Sequence, residues 1–280
     1  MLRVFSTEEQ KAPKKERIII YGAPGTGKST LALSLTKRFG KILYYAADNN
    51  SEFLDSISDE KANNVIVIKG EGDGPIENFS EFALHDWKSE FPDVGTLVVD
   101  TYTTVMQQAI MESANKGLAG TKPHFRVGNV GKGGQAIPTW DDYLGTEGLS
   151  RSLITDMFKE QKDFHIIFVC HEDVKQVEGM PAAGGPSHPG RKMLVDMPGM
   201  FSTVIRLIKD RVLIPGDEAA TDVVIAITDH DGRFIAKARM ADDETVNPIS
   251  RVNLDRNPVN FWQQYDAIYA PEAQKEQSNG

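Results

Sequence analysis

The chain has 280 residues, 40% of them hydrophobic and 25% charged, with a formal net charge of −9. That length suffices for one large α/β domain with a substantial buried core, and no stretch approaches the roughly 20 apolar residues a membrane span needs. The acidic balance excludes whole-surface attraction to nucleic acid but leaves room for a local basic groove.

Met1 to Arg17 mixes charges of both signs and lacks the apolar core of a secretory signal, so a cytoplasmic location without membrane attachment is expected. Residues 1–16 read as an N-terminal extension, 17–270 as one core domain and 271–280 as a disordered tail. The run Arg17-Ile18-Ile19-Ile20-Tyr21 is short, β-branched and stopped by Gly22, which predicts a buried central strand. From Lys28 to Phe39, the spacing of Leu31, Leu33, Leu35 and Phe39 predicts a helix closed by Gly40. Further strands are expected at Ile42 to Ala46, Val65 to Ile68, Thr96 to Val99 and His165 to Cys170, with helices near Ile76 to Glu90 and Leu144 to Gln161. That alternation indicates an α/β fold with a mostly parallel central sheet flanked by helices. After Pro198 closely spaced strands follow, Thr203 to Ile208, Asp222 to Thr228 and Arg233 to Arg239, the last two joined by a hairpin at Asp231-Gly232. The sheet should therefore end in antiparallel strands. Two long Gly-rich segments, Asn115 to Trp140 and Val174 to Lys192, read as functional or disordered loops. The single cysteine, Cys170, lies in an apolar run and reads as a buried structural thiol.

The segment Gly22-Ala23-Pro24-Gly25-Thr26-Gly27-Lys28-Ser29-Thr30 has the G-x-x-x-x-G-K-S/T spacing, placed between a strand and a helix as its mechanism demands. Its glycines let backbone N–H groups turn onto phosphates, Lys28 neutralises the β and γ oxygens, and Ser29 ligates magnesium. ATP with Mg2+ is the expected ligand pair. The second metal ligand should end a neighbouring strand, and Thr96-Leu97-Val98-Val99-Asp100 supplies Asp100 there; the alternative is a carboxylate capping the next helix. To orient or deprotonate the attacking water, Asp48 comes first and Glu52 second, both just after the strand ending at Ala46, with a helix cap as the other reading of Asp48. His171 follows the strand ending at Cys170. It reads either as a reporter of the γ-phosphate or as a hydrogen-bonded structural histidine.

These residues resemble the RecA-type recombinase core, and within it the short, core-only RecA-like ATPases of phages associated with single-strand annealing. The resemblance rests on the P-loop, on Thr96 to Thr101 (TLVVDT) as the Walker B strand, and on Ile167-Phe168-Val169-Cys170-His171. That last strand is where the family places a γ-phosphate-sensing glutamine, so it implies His171 as the sensor. Val204-Ile205-Arg206-Leu207 and Phe234-Ile235-Ala236-Lys237-Ala238-Arg239 are similar to the family's late strands, whose paired basic residues reach the adjacent subunit's ATP. The resemblance thus implies that Lys237 and Arg239 act in trans, with self-association into a ring or filament and, for a phage protein, residence in the host cytoplasm. The family's catalytic glutamate is replaced here by Asp48.

Between Ser113 and Trp140 there is no acidic residue, while Lys116, Lys122, Arg126 and Lys132 are basic and six glycines interrupt the segment. Such a loop can follow a phosphate backbone, and His124, Phe125 or Trp140 could stack on an unpaired base, which points to single-stranded DNA. A second segment, Gly179 to Lys192, ends in Arg191-Lys192, where RecA-like proteins carry a DNA-binding loop after the sensor strand. Both segments also read as plain surface loops or assembly contacts. The expected activity is a DNA-stimulated ATPase acting in recombination, annealing or replication. The alternatives are a ring-forming, helicase-like translocase, a P-loop small-molecule kinase, and a slow nucleotide-dependent assembly protein.

Overall fold

The computed structural model describes residues 15–47, 63–70, 74–119, 137–175, 183–190, 192–212, 221–229, 233–238, 252–253 and 259–269. Its strands are β1 (Arg17–Gly22), β2 (Lys41–Ala46), β3 (Val65–Ile68), β4 (Val94–Asp100), β5 (His165–Lys175), β6 (Ala183–Pro186), β7 (Thr203–Val212), β8 (Thr221–Ile227) and β9 (Val252–Asn253). Its helices are α1 (Lys28–Leu33), α2 (Thr36–Phe39), α3 (Pro75–Leu84), α4 (Trp87–Glu90), α5 (Tyr102–Ala119), α6 (Trp140–Glu160), α7 (Met193–Met200) and α8 (Val259–Tyr269).

Among the described residues the strands form one sheet in the order β3-β2-β4-β5-β1-β7-β8-β9, with β6 paired to β5. From β3 to β7 every pairing along this order is parallel, whereas β7 to β8, β8 to β9 and β5 to β6 are antiparallel. This is the α/β architecture with antiparallel C-terminal strands that the element pattern implied.

The central strands are apolar on both faces because both are covered. Ile19, Tyr21, Leu97, Val99, Phe168 and Cys170 pack with Phe79, Phe82, Tyr102, Met106, Ile154 and Met157 from α3, α5 and α6. Ile18, Ile20, Ile42, Tyr44, Ile167, Val169, Ile205 and Leu207 turn the other way, onto Leu31 and Ala32 of α1 and onto Phe261, Trp262 and Tyr265 of α8. Arg38 anchors α8 to the strand side: it forms ion pairs with both Glu16 and Asp266 and lies 5.4 Å from the Trp262 ring centroid.

Several expected boundaries shift for identifiable reasons. The helix expected over Lys28 to Phe39 is two, because Ser34 and Thr36 hydroxyls bond to the Leu31 and Leu33 carbonyls at 2.6 and 3.0 Å and break the regular ladder. The helix expected over Ile76 to Glu90 also divides: His85 is extended, and Asp86 caps a new turn by accepting from the Ser89 N–H at 3.3 Å. α5 and α6 occupy the two ends of the first Gly-rich segment, leaving 120–136 outside the described residues. In the second segment β5 continues past Cys170 to Lys175, and β6 folds back onto Glu172 to Lys175. In place of the strand expected over Arg233 to Arg239, the described residues 233–238 join the sheet through isolated bridges at Phe234 and Lys237 and through the Tyr21 hydroxyl on the Ile235 carbonyl. The expected turn at Asp231-Gly232 and the tail from Pro271 lie outside the described residues.

Candidate functional site

Gly22 ends β1 level with His171 of β5 on one side and Leu207 of β7 on the other. A Cβ there would stand 2.3 Å from the Leu207 carbonyl oxygen and 2.9 Å from Thr26 Oγ1, so the chain can leave the sheet at this point only through glycine. Gly25 and Gly27 then take φ values of 72° and 80°, in the left-handed region that folds a loop into a concave nest. The Lys28 ammonium donates to the Ala23 carbonyl at 2.9 Å, and Thr26 Oγ1 donates to the same oxygen at 2.9 Å. The loop is thereby closed, with the buried Lys28 folded back over it. Ser29 is half-buried in the first turn of α1, and Ala23, Pro24, Gly25 and Thr30 are exposed.

Asp100 ends β4 level with Ala46 of β2 and Val169 of β5, and its carbonyl accepts from the Ala47 N–H at 2.8 Å. Its side chain is 7% exposed, and Oδ2 accepts a hydrogen bond from the Tyr44 hydroxyl. The sequence signal for Tyr44 was a tyrosine inside an otherwise apolar buried strand, since a buried phenol needs a polar partner. The peptide bond from Asp100 to Thr101 is cis. Cys170 reports how close these groups are. Burial pushes its thiol far above the ordinary range, Asp100 adds to the push, and a Thr103 hydrogen bond and Lys28 oppose it. One buried sulfur thus feels both the loop lysine and the strand-end carboxylate.

His171 stands beside the first glycine of the loop. Its N–H donates to Thr103 Oγ1 at 3.0 Å, its carbonyl accepts from the Ser187 N–H at 2.7 Å, and Thr103 Oγ1 donates to the Ser187 carbonyl at 3.0 Å. The Thr103 hydroxyl, which sequence reasoning passed over, therefore links the first turn after Asp100 to the His171 strand and its returning segment. One residue on, Glu172 accepts from Arg206 Nε at 2.6 Å, and the Arg206 guanidinium lies 3.2 Å from the Phe234 ring centroid. This ion pair spans the gap between β5 and β7 at the level where β1 gives way to the loop.

Not every candidate is gathered at this edge. Lys237 pairs through its backbone with Val204, which is level with Ile19, three residues before Gly22. At about 3.3 Å per residue, that puts its backbone about 10 Å below the loop's origin. Partial burial lowers its pKa by desolvation. Lys192 is exposed, with its backbone N–H on Glu147 Oε1 at 3.1 Å, and Lys116 belongs to α5. Asp48, Glu52, Lys122, Arg126, Lys132, Arg191 and Arg239 lie outside the described residues.

A phosphate loop and a metal-type carboxylate on strands separated only by β5 place the molecule among the P-loop NTPases. Within that class the chain matches the family described as AAA domain over residues 14–240, and it belongs to that family. No curated protein matches the chain. P-loop NTPases bind nucleotide with Mg2+, and the residues present fit the cation. Ser29 and Asp100 offer two hard oxygen donors, few enough for an ion that keeps waters and phosphate oxygens as its remaining ligands. Held there, Mg2+ would supply positive charge against that of the phosphates.

Proposed function

We propose that this protein is an ATP-hydrolysing, Mg2+-dependent RecA-like ATPase that acts on single-stranded DNA in recombination, annealing or replication. The observation that carries the reading is the shared strand β5. His171 on it is level with Gly22 of the P-loop, and the same strand runs on to Lys175 as one side of the β5–β6 arm. Any shift of His171 on γ-phosphate loss would pass along that strand into the arm.

Within this reading Lys28 neutralises the β and γ oxygens, Ser29 and Asp100 hold the cation, and Asp48, or else Glu52, directs the attacking water. The position of Lys237, away from its own chain's loop, suits an ammonium offered with Arg239 to the nucleotide of a neighbouring subunit in a ring or filament, as an arginine finger is. The DNA assignment is supported by the acid-free segment carrying Lys116, Lys122, Arg126 and Lys132, and by Arg191 and Lys192 beyond the arm. It is supported too by Trp140, which at 68% exposed offers a stacking face at the end of that segment.

Phosphate release, measured with and without single-stranded DNA at low and at moderate salt, tests the reading. DNA should bind the ATP-loaded protein and raise the rate. If it does neither, DNA leaves the assignment; a phosphorylated acceptor in place of inorganic phosphate would mark a kinase. Directional strand displacement, rather than annealing, would favour the translocase form of the same core.

A further inference from the structure

The row of side chains that β7 sends toward α1 passes from two apolar residues to a lysine. Ile205 and Leu207 alternate inward and pack in the core with Leu31 and Ala32 of α1. Leu207 is level with Gly22, where β1 stops, so the next residue of that row, Lys209, stands beyond the core and beside the P-loop. β7 does not end there: Lys209 still pairs with Val224 of β8, which fixes its backbone. The exposed Lys209 ammonium comes to 3.4 Å from the position a Cβ on Gly25 would take. Among the described residues no carboxylate forms an ion pair with it.

We propose that Lys209 is a second cation of the phosphate site, supplied by the same chain and binding the phosphate oxygens that the loop backbone cradles. The chemistry follows from which side each lysine takes. Lys28 issues from α1 and folds back over the loop onto the Ala23 carbonyl, and its partners are the β and γ oxygens. Lys209 approaches the outer turn at Gly25, whose positive φ and missing side chain leave the backbone open to it. The phosphates cradled by the loop backbone are α and β, which ATP and ADP share. Lys209 therefore holds both nucleotides equally and takes no part in distinguishing them, in contrast to Lys237, which is assigned to the γ-phosphate of another subunit. This inference rests on the P-loop reading of the site, and its test separates the two.

Titration of MgATP and MgADP into the full-length wild type, Lys209→Ala, Lys209→Arg and Lys159→Ala is the experiment. Lys159 is an exposed lysine paired with Glu160, and it controls for net charge. Loss of one charge-assisted contact should weaken both nucleotides by about tenfold in Lys209→Ala, and lower the salt dependence of binding, since one cation fewer meets the phosphates. Lys209→Arg should restore most of the affinity, and Lys159→Ala should match the wild type. Because Lys209 is exposed at a strand position, the variant should melt with the wild type, and the arginine variant keeps the test valid if alanine perturbs the strand. Wild-type affinity for both nucleotides in Lys209→Ala would overturn the assignment, as would equal loss in Lys159→Ala. Weakening of ATP alone would overturn the placement on the shared phosphates. A wild type that binds neither nucleotide would instead overturn the P-loop reading itself.

Discussion

The two sides of the sheet are built on different rules. From β3 to β1 the strands are parallel; the P-loop and Asp100 stand at C-terminal strand ends, and His171 lies on the strand between them, level with the first glycine of the loop. From β7 to β9 the pairing is antiparallel, and the basic residues come from within strands and bridges: Arg206 beside Tyr21, Lys209 past Leu207, Lys237 level with Ile19. A parallel sheet collects its ligand groups at one edge because every strand ends there. β7 lies parallel to β1 but runs past it to pair with β8, so it carries Lys209 up beside the loop, while the segment bridged to Val204 keeps Lys237 away from it. On the proposed reading the parallel side supplies the loop and the carboxylate of the phosphate site, and β7 with the segment bridged to it adds one cation in cis and offers another in trans.

Lys28→Ala should break the parallel side outright, abolishing nucleotide binding or turnover; retained turnover would place the nucleotide elsewhere. Lys237→Ala should cut turnover by about 1,000-fold, the lower range for a finger residue, while ATP affinity stays in place. Wild-type turnover in that variant would erase the division between cis and trans cations.

Arg38→Ala separates folding from chemistry. It leaves Glu16 and Asp266 without their shared, largely buried partner, so denaturation should show a loss of about 3 kcal/mol. An unchanged midpoint would mean that α8 is held by its aromatic contacts alone. His165 lies at the opposite end of β5 from the site, stacked on Phe39 at 3.6 Å with Nδ1 accepting from the Glu16 N–H. Burial first, then Lys15 and Arg38, pushes its pKa down to about 3. The unfolded chain takes up a proton near pH 6.5 that the folded chain refuses until about pH 3. Stability is therefore full above pH 6.5 and falls by up to about 1.4 kcal/mol per unit below it. Between about pH 7 and pH 5, wild type should lose about 2 kcal/mol more than His165→Asn; equal losses would contradict the burial argument. Tyr44→Phe is the mildest test of the parallel side. Losing the hydrogen bond that holds Asp100 should raise the Mg2+ needed for half-maximal turnover by about tenfold, and an unchanged requirement would leave Tyr44 with a packing role only.

The same contrast explains what the sequence disclosed. The P-loop, Asp100 and His171 were legible because each directly follows an apolar run; at the P-loop and Asp100 the end of the run is the end of the strand, whereas β5 runs on past His171 to Lys175. α5 had a readable helical pattern in Tyr102, Val105, Met106, Ala109 and Ile110, but the polar Thr103, Thr104, Gln107 and Gln108 between them gave the stretch no strong apolar signal. Thr103 and Lys209 were not legible as site residues, and the tyrosines of β2 did not tell which of them reaches a carboxylate, since each contact is a cross-strand or cross-loop approach that no local spacing encodes. The alternating Lys237 and Arg239 suggested a strand; the chain instead crosses from β6 to β7 there, with the Ile235 carbonyl accepting from the Tyr21 hydroxyl at 2.9 Å.

The most direct test of the central claim, a phosphate site on one side of the sheet completed by a neighbouring subunit, is the ATPase rate per protein molecule across a range of protein concentrations, with and without single-stranded DNA. The specific rate should rise with concentration and rise further with DNA. A specific rate that stays flat with concentration, with DNA present or absent, would contradict it.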